Sequence, residues 1–367
     1  MRIAYLLHFN DDVESGVWKK VLGQVRIWTK LGANVTVYVV TRISGKAVET
    51  LEDSLPQVRI FPYAGAFSRL RAWSLAVNAI EVDRHQVVYW RHDLLYPAVV
   101  KLALIKPVFI EVNTNDAVEF CLTKDARCFY HLATRKLAFS LASGIVLVSH
   151  ELKSILPERI VGRLPIAVIG NGVDLDSIRP LPPPRNEQPR LVFLGSTNQP
   201  WQGVDELLTL AMLFPNWHVD VIGPKPSLGE KSPPNVHFHG FLRRAEYEAI
   251  LARADVAIGP LGSYRKALNE ASPLKVREYL AYGLPVIIGC KDTDFLEGAP
   301  FILELPNQEG SVERNRDQIE QFVLGWMGKR VPREAVLHLD IKVKEEKRLK
   351  FLLEVVKNAR SAREVLR

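Results

Sequence analysis

Short aliphatic and β-branched runs recur along the chain, each followed by a helix-length stretch in which apolar positions return with helical spacing. In the first half the runs are Ile3–Leu7, Asn34–Val40, Val58–Phe61, Val87–Tyr89, Val108–Val112, Ile145–Val148 and Ile166–Ile169. Runs that are apolar at consecutive positions belong to strands covered on both faces, and strands separated by helices form parallel sheets. The pattern predicts a doubly wound α/β domain over residues 1–178. From Arg179 to Arg190 the sequence holds five prolines in 12 residues, too many for a helix or a central strand, and reads as a semi-rigid linker. Beyond it Leu191–Leu194, His218–Ile222, Val236–Phe238, Val256–Ile258, Pro285–Ile288 and Phe301–Leu303 restart the alternation. A second α/β domain is therefore expected over 191–335. The remaining segment, 336–367, ends in a helix from about Ile341 to Leu366 with Leu349, Leu352, Leu353 and Val356 in one stripe, free to pack back on the first domain.

Length and composition agree with this division. A chain of 367 residues exceeds what one core organises, and 47% hydrophobic with 24% charged residues excludes disordered and fibrous classes. The formal charge is +7, and the excess gathers at the end, with 12 Lys and Arg against 6 Asp and Glu from Gly328 to Arg367. A solvated helix face is the plain reading of that excess and a contact to anionic lipid the alternative; no aromatic and basic reading face suggests nucleic acid. Cys121, Cys128 and Cys290 are odd in number and form no C-x-x-C pair, which argues against a disulfide framework or zinc ribbon and for a reducing compartment. The apolar start is too short for a signal peptide, and no run of about 18 apolar residues occurs. The expected location is cytoplasmic. A peripheral place at the inner membrane face stays open, because Ala66–Ile80 mixes Arg69 and Arg71 with Phe67, Leu70 and Trp73 as an interfacial helix would, although a covering helix explains it as well.

The most informative run is Asn269–Ile288, N-E-A-S-P-L-K-V-R-E-Y-L-A-Y-G-L-P-V-I-I. Ser272 reads as an N-cap, Pro273 as the first helical residue and Gly283 as the closing residue. The amides of Leu274, Lys275 and Val276 would then precede the helical ladder and make an anion site at the positive end of the helix dipole. Lys275 in that turn disfavours an isolated helix, and a bound phosphate would offset it. The expectation is a diphosphate site, with Glu270 before the helix and Glu278 in its second turn placed to accept sugar or ribose hydroxyls. A capped helix with solvated carboxylates is the plain alternative.

Glu270, seven residues, Glu278 and then Y-L-A-Y-G-L-P-V-I resemble the E-x7-E signature of retaining glycosyltransferases of the GT-B fold, family 4. Asn171–Asp174, Ile145–Ser149, Val236–Gly240 and Ala254–Pro260 fall in that family's order and spacing. The resemblance implies an α/β GT-B fold of two Rossmann-like domains facing a cleft, the first for the acceptor and the second for a nucleotide-diphosphate sugar. It implies transfer to a hydroxyl with retention, without metal or a cofactor beyond the donor. Glu278 would hold the ribose, Glu270 the donor sugar, Phe241 and Leu242 the base, and Gly16, within Ser15-Gly16-Val17, would approach the phosphates. Asn113 replaces a frequent histidine and would face the reacting sugar as a hydrogen-bond donor, with no general base near it. Ser196 and Gln202 stand where the family often has a phosphate-binding arginine and lysine, so Lys275, Arg265 or Lys266 would have to compensate.

Two other signals have plain readings. Asp174-Leu-Asp176 is taken as a turn rather than a metal site, and His237 and His239 as rim or core histidines. Against transfer stand a silent sugar-nucleotide-binding partner and an epimerase or hydrolase on the same fold. The nucleobase, the sugar and the acceptor, whether lipid-linked saccharide, polysaccharide or protein, are left open.

Overall fold

The computed structural model describes residues 1–11, 13–122, 127–197, 199–224 and 232–365. Asn198, within the stretch from Gly195 to Gly203, and the last two residues of the chain lie outside them. The chain divides into two compact units, residues 1–170 with 341–367, and residues 171–340.

The first unit contains β1 (Arg2–His8), α1 (Gly16–Lys30), β2 (Asn34–Thr41), α2 (Lys46–Asp53), β3 (Val58–Pro62), α3 (Ala66–Val82), β4 (Val87–Arg91), α4 (Pro97–Ile105), β5 (Val108–Val112), α5 (Asp116–Leu122), α6 (Arg127–Ser140), β6 (Gly144–Leu147) and β7 (Ile166–Val168). Its seven strands are all parallel, in the order β3-β2-β1-β4-β5-β6-β7. Sheet growth reverses between β1 and β4, and in open parallel sheets the carboxyl ends flanking such a reversal form a crevice. The core around Tyr5, Trp18, Trp28 and Tyr89 is fully buried.

The second unit contains β8 (Arg190–Leu194), α7 (Val204–Leu213), β9 (His218–Ile222), β10 (Val236–Gly240), α8 (Arg244–Arg253), β11 (Val256–Ile258), β12 (Glu270–Ala271), α9 (Leu274–Tyr282), β13 (Val286–Ile288), β14 (Lys291–Asp292), β15 (Ile302–Glu304), α10 (Ser311–Arg314) and α11 (Arg316–Trp326). Six strands form a parallel sheet in the order β10-β9-β8-β11-β13-β15, reversing between β8 and β11, while β12 and β14 pair separately. The strands expected from the apolar runs are all present, and the doubly wound architecture holds in both units. The pair β12 and β14 is an addition that two-residue strands give no periodicity to reveal.

The last helix, α12 (Ile341–Val365), belongs to the first unit. A Cβ at Gly23 would overlap the Ile341 side chain, so this glycine lets α12 settle on α1. Leu349 and Leu352 enter the core while Leu353 stays exposed, so the apolar stripe is narrower than its spacing suggests. Glu345 and Arg348 are buried too, so the helix is not simply a solvated basic face.

Three expectations are corrected. The units divide at 170/171, not at the proline-rich stretch, because Leu175 and Ile178 lie in the core of the second unit. Leu181 donates its amide to the Tyr282 carbonyl at 2.9 Å and the Asn186 amide group bonds Arg253 and Asp255, so the prolines are laid onto that unit rather than spanning as a linker. Cys121, in α5, and Cys128, in α6, form a disulfide, contrary to the expectation from their number and spacing. The mixed pattern of α3 divides: Trp73 and Arg69 are buried, Trp73 stacked on Tyr96 and Arg69 paired with Asp93 at 2.7 Å, whereas Phe67, Leu70 and Arg71 are exposed.

Candidate donor and acceptor sites

In the second unit five of the six strands of the large sheet end in glycine or are followed by it. Gly195, Gly223, Gly259 and Gly289 directly follow β8, β9, β11 and β13, and Gly240 ends β10. At Gly223, where φ is +98°, a Cβ would overlap the carbonyl oxygen of Gly195. Only glycine fits that approach, and the carboxyl edge is left bare of side chains where ligands of such sheets bind.

Helix α9 starts one residue later than expected. Pro273 is its cap, and the Val276 amide bonds the Pro273 carbonyl at 3.1 Å. Val276 is therefore no anion donor, and only the Leu274 and Lys275 amides precede the ladder. Ser272 is not the cap: its hydroxyl accepts from the Asn171 amide at 2.8 Å and from Arg277 at 2.9 Å. Arg277 is fully buried, grips Asp292 through two bonds of 2.6 and 2.8 Å, and reaches Asp294 at 2.9 Å. This planar bidentate pair ties α9 to β14 and fixes where the helix begins.

Lys275 is half-buried, with its ammonium 3.9 Å from the centre of the Phe193 ring and bonded to the side-chain oxygen of Gln202. It makes no ion pair among the described residues, and burial pushes its pKa well below the usual lysine range. Glu278 accepts a 2.6 Å bond from the Tyr247 hydroxyl, whose pKa burial and this carboxylate push up. Tyr279 receives the Leu194 amide at 2.6 Å, pinning α9 to the end of β8. Glu270 is buried on β12. Ser196 is exposed, Phe241 is 61% exposed, and Leu242 rests on the core.

The proposed substitutes for missing cations fare unequally. Arg265 is committed to Asp205 at 2.9 and 2.5 Å and to the Pro200 carbonyl at 2.6 Å, and Lys266 lies over the Trp201 ring. Lys275 is bonded to Gln202. The Asp174 side chain accepts the amides of Asp176 and Ser177, which is the turn expected of that string. His239 pairs with Asp220 at 2.7 Å, and His237 lies near His218.

In the first unit a cavity of about 390 Å³ opens at the carboxyl ends of β1, β4 and β5, lined among others by His8, Asn10, Arg91, Asp93, Glu111 and Asn113. Asn113 accepts from Lys20 at 2.6 Å and donates to Glu111 at 3.3 Å. Glu111 is fully buried; against the cost of burial, Lys20, Arg348 and Arg91 hold its carboxyl well below the usual range. Burial lowers Lys20 to about 8 despite Glu111 at 2.9 Å. The expectation of no base near Asn113 is corrected, since His8 pairs with Asp93 at 2.9 Å in the same cavity. Both imidazole nitrogens are engaged, the other contacting Tyr63 at 2.5 Å and Asn10 at 3.0 Å. Gly16 opens α1, and the Ser15 hydroxyl caps it by accepting the Trp18 amide, which explains a serine where the family resemblance implies glycine. Sequence reasoning missed His8, Lys20, Glu111 and Arg277; a lone charge inside an apolar run, as at Glu111, was the available signal.

Residues 188–314, spanning the glycine edge and α9, match the family model described as glycosyl transferases group 1. Among curated proteins, none matches the sequence. Solved structures match over nearly the whole chain. An apo lipopolysaccharide outer core galactosyltransferase, WaaB, superposes with a TM-score of 0.65 at 13% identity, covering 96% of this chain and 99% of its own. Anabaena Alr3699/HepE in complex with UDP and glucose gives 0.61 at 14%, covering 96% and 99%. The chain has the GT-B fold. A UDP-GlcNAc 2-epimerase from Neisseria meningitidis shares the GT-B architecture with a TM-score of 0.56 at 12% identity, covering 96% of this chain and all of its own. No described helix is long and apolar enough to cross a membrane.

Proposed function

We propose that this GT-B chain is a glycosyltransferase that moves a sugar from a nucleoside-diphosphate donor to an acceptor hydroxyl with retention and without a metal. One observation carries the reading: Lys275, half-buried and with no carboxylate partner among the described residues, sits at the start of α9 beside two amides that precede the helical ladder. As the glycosidic bond breaks, negative charge grows on the departing diphosphate. Lys275 and the Leu274 and Lys275 amides are fixed donors for that charge, the arrangement that lowers a barrier most effectively. Glu278, steadied by Tyr247, takes the ribose hydroxyls, Glu270 the donor sugar, and Phe241 with Leu242 the base. The match to glycosyl transferases group 1 over 188–314 and the UDP and glucose named for the Anabaena structure support the donor class.

The His8 and Asp93 pair favours a second reading, base-assisted inversion. For it His8 would have to release Tyr63 and Asn10 to meet an acceptor hydroxyl, so retention is preferred. The anomeric configuration of the first-formed product, read by proton NMR, separates the two: a retained centre supports the proposal, and an inverted one overturns it.

A thermal-shift panel of UDP, GDP, ADP and CMP with and without EDTA tests the donor site. A shift of several degrees from one nucleoside diphosphate that survives EDTA is expected. No shift from any of them would favour a silent partner, and an isomerised donor without acceptor would favour an epimerase.

A further inference from the structure

The amino-terminal turns of α3 and α6 flank one loop. Arg69 of α3 bonds Asp93, and Tyr130 of α6 donates to the Leu95 carbonyl at 2.6 Å. That loop supplies His92 and Asp93 to the cavity of the first unit. Around it the large apolar side chains are turned outward: Phe67 is 90% exposed and Phe129 81%, with Leu70, Tyr130 and Leu132 also exposed. The same helix buries Trp73, one turn on from Leu70, so its apolar side chains are divided between the core and solvent. On the two helices themselves the charge has one sign before Glu81, the acids Asp93 and Asp116 being already paired with Arg69 and Arg135. No acidic residue occurs in α3 before Glu81 or anywhere in α6, whereas Arg71 and Lys136 are exposed and form no ion pair among the described residues.

We propose that this face of the first unit docks on an anionic lipid bilayer, with Phe67 and Phe129 inserted at the headgroup level and Arg71 and Lys136 against the lipid phosphates. Isolated aromatic side chains beside unpaired cations fit an interface that is apolar within and anionic at its surface. A second copy of the chain fits less well, because a twofold contact would place Arg71 and Lys136 against the same charges. Docking would hold the rim of the cavity at the membrane surface, where an acceptor carried on a lipid is concentrated. The surface is distinct from the donor site, so its failure would leave the transferase reading untouched.

Vesicles of phosphatidylcholine alone, and of phosphatidylcholine with 30% phosphatidylglycerol, test this by co-sedimentation of the full chain, that fraction being on the order of a biological anionic surface. Binding to the anionic vesicles only is expected, falling at least about tenfold in Phe67→Ser/Phe129→Ser and again in Arg71→Gln/Lys136→Gln. All four positions are exposed, and unchanged melting of each variant would confirm that the fold is kept. Absence of binding to either vesicle, equal binding to both, or full binding by the double variants would overturn the proposal. So would a concentration-dependent dimer, seen by light scattering, that the Phe67→Ser/Phe129→Ser change abolishes.

Discussion

Lys275 is held by an aromatic ring and an amide, two partners that solvate a cation only weakly, which is why its protonated form is disfavoured. A bound diphosphate reverses that balance. Nucleotide binding should therefore take up a proton, and affinity should be highest at low pH and decline as pH rises through the depressed pKa of the free protein. Calorimetry in buffers of differing ionisation enthalpy checks the uptake, and the effect should vanish in Lys275→Met. That substitution should lower turnover by roughly 100- to 1,000-fold, as loss of an oxyanion donor does, with little change in melting temperature. Glu278→Gln should weaken nucleotide binding while keeping the Tyr247 contact, and a titration of the variant with the preferred nucleotide would measure it. These residues were legible because a short motif placed them within one helix. Gln202, 73 positions from Lys275, was legible only as a substitution at a known place, since no local pattern announces its bond to the ammonium.

At the scale of elements, the strands of the two large sheets followed from period and punctuation, whereas the start of α9 did not. Ser272 had the chemistry of a cap, but Asn171 and Arg277 claim its hydroxyl, and the helix starts after Pro273 instead. That competition is tertiary and cannot be read from a window of the sequence. Arg277 is the clearest case: flanked by helix formers it looks like a surface residue, yet it carries the start of α9 through Asp292. Arg277→Met should destabilise the protein by about 3–5 kcal/mol, because it leaves the buried Asp292 carboxylate uncompensated. Urea unfolding would measure this. Pairing Arg277→Met with Asp292→Asn should recover part of the loss, whereas equal instability of the double variant would mean that packing rather than charge decides.

For the whole molecule, the buried charges at Glu111 tie three distant segments together, with Lys20 of α1 at 2.9 Å, Arg91 of β4 at 3.5 Å and Arg348 of α12 at 3.9 Å. The folded-state pKa of Glu111 is depressed, so the stability it provides is complete above the ordinary carboxylate value and is lost as pH falls below it. Arg348→Met should raise the pH at which the first unit unfolds in acid, followed by near-UV circular dichroism. The apolar stripe of α12 was visible in sequence, but its buried Glu345 and Arg348 were not, because charged residues on a basic helix ordinarily face water. The return of this helix also bears on synthesis. Residues 171–340 form one uninterrupted unit, whereas the first unit needs residues on both sides of that insertion. On the ribosome the sheet of the first unit must wait, with the α1 surface around Gly23 uncovered, until α12 emerges after the second unit. A sheet made before the second unit is thus completed only after it, and the interval in between is when it would most depend on a chaperone.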